Sequence, residues 1–151
     1  LSTSNSSPMS HSSPRKVYLV DADVLSEGTK PRPARQVIEW LGEHDAQLVV
    51  NPVILGELEY GILLLPAGRK RKKLLDWLRG GVENLNVIEI DAVTSAVWAQ
   101  LLADLKRKGR AMPIKDSLIA ATAKQHGLTV ATRNAAHFRY AGVPIVNPFE
   151  S

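Results

Sequence analysis

The chain has 151 residues and a mass of 16.5 kDa, enough for one domain with a sizeable core and too short for two standard domains and a linker. Hydrophobic residues make up 44% and charged residues 23%, ordinary for a globular protein, and the lack of cysteine excludes disulfides, thiolate metal sites and cysteine nucleophiles. A formal charge of +4 and a pI near 9.5 permit a nucleic-acid or acidic partner without demonstrating one.

Residues 1–14, LSTSNSSPMSHSSP, are half serine and show no apolar periodicity, so they cannot bury enough surface to offset their ordering entropy. Residues 1–15 are expected to be a disordered tail or an expression remnant, with Met9 a candidate native start, and residues 16–151 the folded domain. No apolar signal segment is present. The longest wholly apolar run elsewhere, Ile62 to Ala67, is too short to cross a bilayer, so a cytoplasmic protein without membrane contact is expected.

The first apolar run, Val17 to Val20, reads as a buried strand ending at Asp21. Ala34 to His44 reads as a helix, Gln47 to Val50 as a second strand stopped by Asn51-Pro52, and Val53 to Leu65 as an amphipathic helix ended by Pro66. A further helix spans about Arg69 to Arg79. Val87 to Ile90 is a third strand, and Asp91 caps a long helix to Lys108, ended by Gly109. Ile114 to His126 is the last helix, Leu128 to Ala131 the fourth strand and Val143 to Val146 a short fifth. Strands alternating with helical segments predict a three-layer α/β/α domain with a mostly parallel sheet of about five strands.

The informative residues are acids near strand ends: Asp21 and Asp23 after the first strand, Glu57 one turn into the helix after the second, and Asp116 in the first turn of an almost wholly apolar helix. Asn134 follows the fourth strand. In a parallel sheet these positions share one edge, where ligands bind. Converging carboxylates repel, and no lysine or arginine is evidently assigned to them. A divalent cation removes the conflict, and oxygen-only ligands favour Mg²⁺ or Mn²⁺ over zinc. Taken alone, Asp116 is equally an ordinary helix N-terminal acid. Glu39, Glu43, Glu59 and Asp76 read as solvated helix faces, Asp104 as a surface partner of Lys108, and His44 and His126 as surface residues.

The segments VYLVDADVLSE (17–27), NPVILGELEYGI (51–62), MPIKDSLIAATAKQHG (112–127) and LTVATRNAAHF (128–138) together resemble PIN-domain ribonucleases, specifically VapC toxins of the FitB-like branch. The resemblance covers nearly the whole chain after the tail. It implies the toxin of a type II toxin–antitoxin system: a Mg/Mn-dependent endoribonuclease that cleaves structured RNA, such as tRNA or rRNA, by metal-activated water attack on a phosphodiester. It also implies inhibition by a cognate VapB/FitA-like DNA-binding antitoxin, with a homodimer and a toxin–antitoxin hetero-oligomer. Asp21, Glu57 and Asp116 match the family's three acids, Gly56 and Gly61 its small positions, and Thr132 and Asn134 its polar residues after the fourth strand. Two departures stand out. Ala22 and Asp23 replace the usual Thr and Asn, and His137 stands where the family has an acid. Asp23 could make up the lost charge, His137 could bind metal or simply pack beside Phe138, or a second metal could bind weakly; Asp23, Asn134 and His137 are thus further candidate ligands.

Basic residues gather in two blocks, Arg69 to Lys73 with Arg79, and Lys106, Arg107, Lys108, Arg110 and Lys115. The second is nearer Asp116 in sequence and, with Arg133, is the better candidate for positioning RNA. A solvated helix face is the plain alternative. The Val53–Leu65 and Arg69–Arg79 helices have surplus apolar surface, in a region where the resemblance implies antitoxin binding and dimerisation. A competing reaction class is a haloacid-dehalogenase-like phosphatase, with Asp21 as nucleophile and Asp23 as general acid. It lacks a later acid pair and leaves Glu57 unexplained. A PIN fold with a degenerate metal site, acting as a binding partner, is the non-enzymatic alternative.

Overall fold

The computed structural model describes residues 15–150, so the expected tail lies almost wholly outside the described residues. Five strands form one sheet: β1 (Tyr18–Val20), β2 (Leu48–Val50), β3 (Asn86–Val87), β4 (Thr129–Ala131) and β5 (Ile145–Val146). Their order is β3-β2-β1-β4-β5, and every pair is parallel. Central β1 sets the register, with Tyr18 opposite Leu48 on one side and Thr129 on the other. Six helices complete the three-layer α/β/α arrangement: α1 (Ala22–Leu25), α2 (Arg35–Glu43), α3 (Pro52–Leu63), α4 (Arg69–Gly80), α5 (Ala92–Arg107) and α6 (Ile114–His126). A sheet covered on both faces explains why its inner strands are buried throughout and mostly apolar rather than alternating. Leu19, Val20, Val50 and Val130 are wholly buried, packed with Ile54, Leu78, Ile119 and Phe138.

The chain steps outward from β1 through β2 to β3, then returns to β4 beside β1 and moves out to β5. The strand order therefore reverses between β1 and β4, which opens a crevice at their carboxyl ends. Helix ends are fixed by local chemistry. The Asn51 side chain accepts the Ile54 N–H at 3.0 Å and Pro52 opens α3. Asp91 and Thr94 form a capping box at the start of α5, as the sequence suggests. Gly127 closes α6 with a left-handed φ of 65°. Thr94 hydrogen-bonds Gln125, and Trp98 Nε1 donates to Ser117 Oγ at 2.8 Å, so α5 and α6 lie antiparallel. The carboxyl end of α5 therefore sits beside the amino end of α6.

All five expected strands come out shorter, the first and fourth only by their opening residues, Val17 and Leu128. Only Asn86 and Val87 of the third strand pair, because β2 ends where Pro52 starts α3; the Ile88 N–H makes one last bond to the Val50 carbonyl at 2.7 Å. In the fifth, Pro144 has no N–H and only accepts, from Val130, so pairing is confined to Ile145 and Val146. Gln47 belongs to a 3-10 turn before β2, its side chain donating to the Lys16 carbonyl. His44 is not a simple surface residue: it stacks on Trp40 at 4.5 Å and meets Tyr18 edge-on. No helix among the described residues is long and apolar enough to cross a membrane.

Candidate active site

Asp21 leaves β1 directly into the crevice and is 3% exposed. Its Oδ1 accepts the Ala22 N–H at 2.9 Å, which makes it the cap of α1. Its Oδ2 accepts the hydroxyl of Thr132, the residue after β4, at 2.8 Å. The Thr132 hydroxyl oxygen in turn accepts the Asn134 N–H at 3.0 Å, so the two strand ends are stitched across the reversal point. Burial, then the charges of Asp23 and Glu57, push the Asp21 carboxyl up to about 7 against these two donors. Asp23 accepts the Arg133 N–H at 3.3 Å and the Asn134 side-chain amide at 3.2 Å. Its carboxyl is also raised, by burial first and by Glu57.

Glu57 and Asp116 arrive from helices that begin at the same edge. Asn51 joins those helices: it is fully buried and donates from Nδ2 to Thr122 Oγ1 of α6 at 3.0 Å while capping α3. Glu57 Oε2 lies 2.6 Å from Lys115 Nζ, and its Oε1 is buried without a hydrogen-bond partner. Asp116 is 4% exposed in the first turn of α6, where the helix dipole favours an anion. Its Oδ2 is 2.8 Å from His137 Nδ1.

These contacts change three sequence readings. The carboxylates do have a cationic partner, because Lys115 pairs with Glu57 rather than standing out for RNA. His137, read as a possible ligand or as packed or solvated beside Phe138, reaches Asp116 instead of packing on Phe138. Phe138 points into the core, while the half-exposed imidazole hydrogen-bonds Asp116. Asp104 pairs with Arg107 at 3.3 Å rather than with Lys108. Glu59 and Asp76 do lie on solvated helix faces, where they bond Arg79 and Lys72.

Among the described residues no three histidine or acidic side chains gather closely enough to form a ready-made ligand set. Two of the carboxylates are each turned to a protein partner, Lys115 or His137. The donor chemistry nevertheless suits a hard divalent cation. Asp23 and Glu57 are close enough to raise the Asp21 carboxyl, and Glu57 that of Asp23; all donors are oxygens, and one buried Glu57 oxygen has no partner.

The surroundings are of two kinds. A cleft of about 320 Å³ opens beside Asp23 and Glu57, walled by Leu58, Ile62, Leu74 and Trp77. Next to it α3 exposes Tyr60, Leu63 and Leu64. Beyond Asp116, Lys106 and Lys108 stand exposed at the end of α5. The Arg110 guanidinium covers the Tyr140 ring at 4.2 Å, and that of Arg133 covers Phe149 at 4.4 Å.

Comparison with known proteins adds an independent line. A family model described as PIN domain matches residues 18–143. The VapC ribonuclease Y4jK of Sinorhizobium fredii is 35% identical over 141 residues, which cover 89% of this chain and 99% of that relative. Toxin FitB of Neisseria gonorrhoeae is 35% identical over 137 residues, covering 88% and 99%. The crystal structure of FitAcB from Neisseria gonorrhoeae matches with a TM-score of 0.84 at 33% identity, covering 89% of this chain and all of that one.

Proposed function

The chain belongs to the PIN-domain family, among the VapC and FitB toxins, and on that premise we propose that it is a divalent-metal-dependent endoribonuclease acting on structured RNA. The observation that carries the proposal is the meeting of Asp21, Asp23, Glu57 and Asp116, from three separate stretches of chain, at the strand-order reversal. Lys115 is the one cation paired with these four carboxylates among the described residues, and a divalent ion would offset the charge that remains. Asp21, Glu57 and Asp116 would hold Mg²⁺ or Mn²⁺, with Asp23 and Asn134 beside them. Bound there, the ion supplies Lewis-acid activation of water and neutralises the charge that develops on the phosphodiester.

The chain's own residues do the rest. The Ala22 N–H and the Thr132 hydroxyl aim the Asp21 carboxylate, and Arg133 and Asn134 hold Asp23. His137 orients Asp116, a role that needs a ring nitrogen and no negative charge. Lys106, Lys108, Arg110 and Arg133 supply positive charge for the RNA backbone. Of these, Lys106 and Lys108 follow from their exposure at the end of α5, beside the start of α6. The exposed Tyr60, Leu63 and Leu64 beside the cleft suit the apolar segment of a cognate antitoxin, as the toxin names of the relatives suggest. Family membership removes the phosphatase reading, since it accounts for Glu57 where that reading did not.

The test is cleavage of a structured RNA by the purified chain. Activity is expected with Mn²⁺ or Mg²⁺, lost with EDTA and in Asp116→Asn. Undiminished cleavage by Asp116→Asn, or in EDTA, would refute the metal role. Tight antitoxin binding with no cleavage at any Mn²⁺ concentration would favour the degenerate alternative.

A further inference from the structure

The acidic crevice carries a cation of its own. Lys115 stands in the first turn of α6, next to Asp116, and its ammonium reaches Glu57 on α3 across 58 residues of sequence, at 2.6 Å. A helix amino terminus disfavours positive charge, so local structure alone does not call for a lysine there. What holds it is the Glu57 carboxylate, whose Oε2 lies 2.6 Å from the ammonium. The Lys115 side chain is half exposed at 49%, whereas that of Glu57 is 27% exposed. The lysine is therefore the member of the pair that can leave without taking buried structure with it. Its flexible four-carbon stem and strongly hydrated head make that departure easy. Glu57 Oε1, by contrast, is buried and without a partner, whether or not Oε2 is engaged.

We propose that Lys115 is a built-in counter-cation that competes with the divalent ion for Glu57 and so sets the metal affinity of the site. The inference rests on the metal-dependent reading above and adds an exchange step to it. An ammonium and a divalent ion held by one carboxylate repel strongly even on separate oxygens, so metal binding ejects Lys115 into solvent. The ion pair is partly exposed, so its loss weakens metal binding modestly, by about fivefold. The device gives the cluster partial neutralisation when metal is scarce, and it makes occupancy respond to metal concentration.

Isothermal titration of Mn²⁺ into the full chain tests this without reference to catalysis. Lys115→Met is expected to bind Mn²⁺ about fivefold tighter than the parent. Lys115→Arg, which keeps a cation within reach of Glu57, is expected to stay near the parent value. In a Glu57→Gln background, Lys115→Met should give no gain, because the contested negative charge is gone. Circular dichroism checks that each variant is folded. Equal or weaker binding by Lys115→Met overturns the proposal, and so does a gain that persists in the Glu57→Gln background, which would mark a general charge effect. If the parent and Lys115→Met both fail to bind Mn²⁺, the metal-dependent reading itself falls and the exchange falls with it.

Discussion

The strain at Asp21 has a size that can be worked out and checked. Its carboxyl is carried from the usual 3.8 to about 7, chiefly by burial and by Asp23. In the folded chain it therefore keeps its proton to a higher pH than in the unfolded chain. Between about pH 4 and 7 the native state binds the extra proton, so metal-free stability falls as pH rises through that window and levels off above it. At about 1.36 kcal/mol for each tenfold change in proton affinity, the loss above pH 7 is about 4 kcal/mol. Asp21→Asn removes the ionisation and with it this loss. The new amide oxygen still accepts the Ala22 N–H, but the Thr132 hydroxyl, which already accepts from Asn134, loses the acceptor for its own proton. That mismatch costs about 1 kcal/mol. The variant should therefore be more stable by about 3 kcal/mol at pH 8 with EDTA, raising Tm by roughly 5–10 °C for a chain of this length, while losing cleavage. Near pH 4.5 the gap should close. Thermal melts followed by circular dichroism from pH 4.5 to 8.5 measure it. A variant that melts no higher than the parent at pH 8, with no gap opening as pH rises, would show that the carboxylates do not strain the fold.

Asn51→Ala removes the cap of α3 and its bond to Thr122, so urea unfolding should show a loss of about 2 kcal/mol. Mn²⁺ affinity should fall with it, because Glu57 and Asp116 sit on the two helices that Asn51 joins. Phe138→Ala empties a fully buried site beside His137 and should cost about 3–5 kcal/mol in the same assay. Changing Lys106 and Lys108 together to Ala should weaken RNA binding and reduce the log–log salt dependence by about 1.5, with the fold unchanged.

The sheet and its edge were legible because apolar runs ending in acids carry both messages at once. Val17 to Val20 followed by Asp21 is a buried strand and a candidate site residue in five letters. Asp116 at the head of an apolar helix is another such signal. The partners of those acids were not legible. Lys115 meets Glu57 from 58 positions away, and His137 meets Asp116 from 21. Nothing in composition or period encodes such distances. Helix α1 has four residues, too few to show a period, and is set by Asp21 capping Ala22. Strand β3 is short for a reason that lies elsewhere in the chain, at Pro52. Asn51 read as a strand stop, although an Asn before a Pro that opens a helix is also a cap signal, and that signal would have found it.

The bond between Thr132 and Asp21 spans 111 residues of sequence. It has a temporal consequence. A ribosome releases the chain from its amino end at about 5–20 residues per second, and contacts this distant cannot form until both ends have emerged. Asp21 and Glu57 are made early, but the clamp on the first and the orienting group on Asp116 come from residues 132 and 137, near the end of synthesis. A chain ending before residue 132 therefore has all four carboxylates but lacks the clamp on Asp21 and the group that orients Asp116. On the proposed reading of the chain as a toxin ribonuclease, the order of the sequence itself would delay activity until the fold is complete.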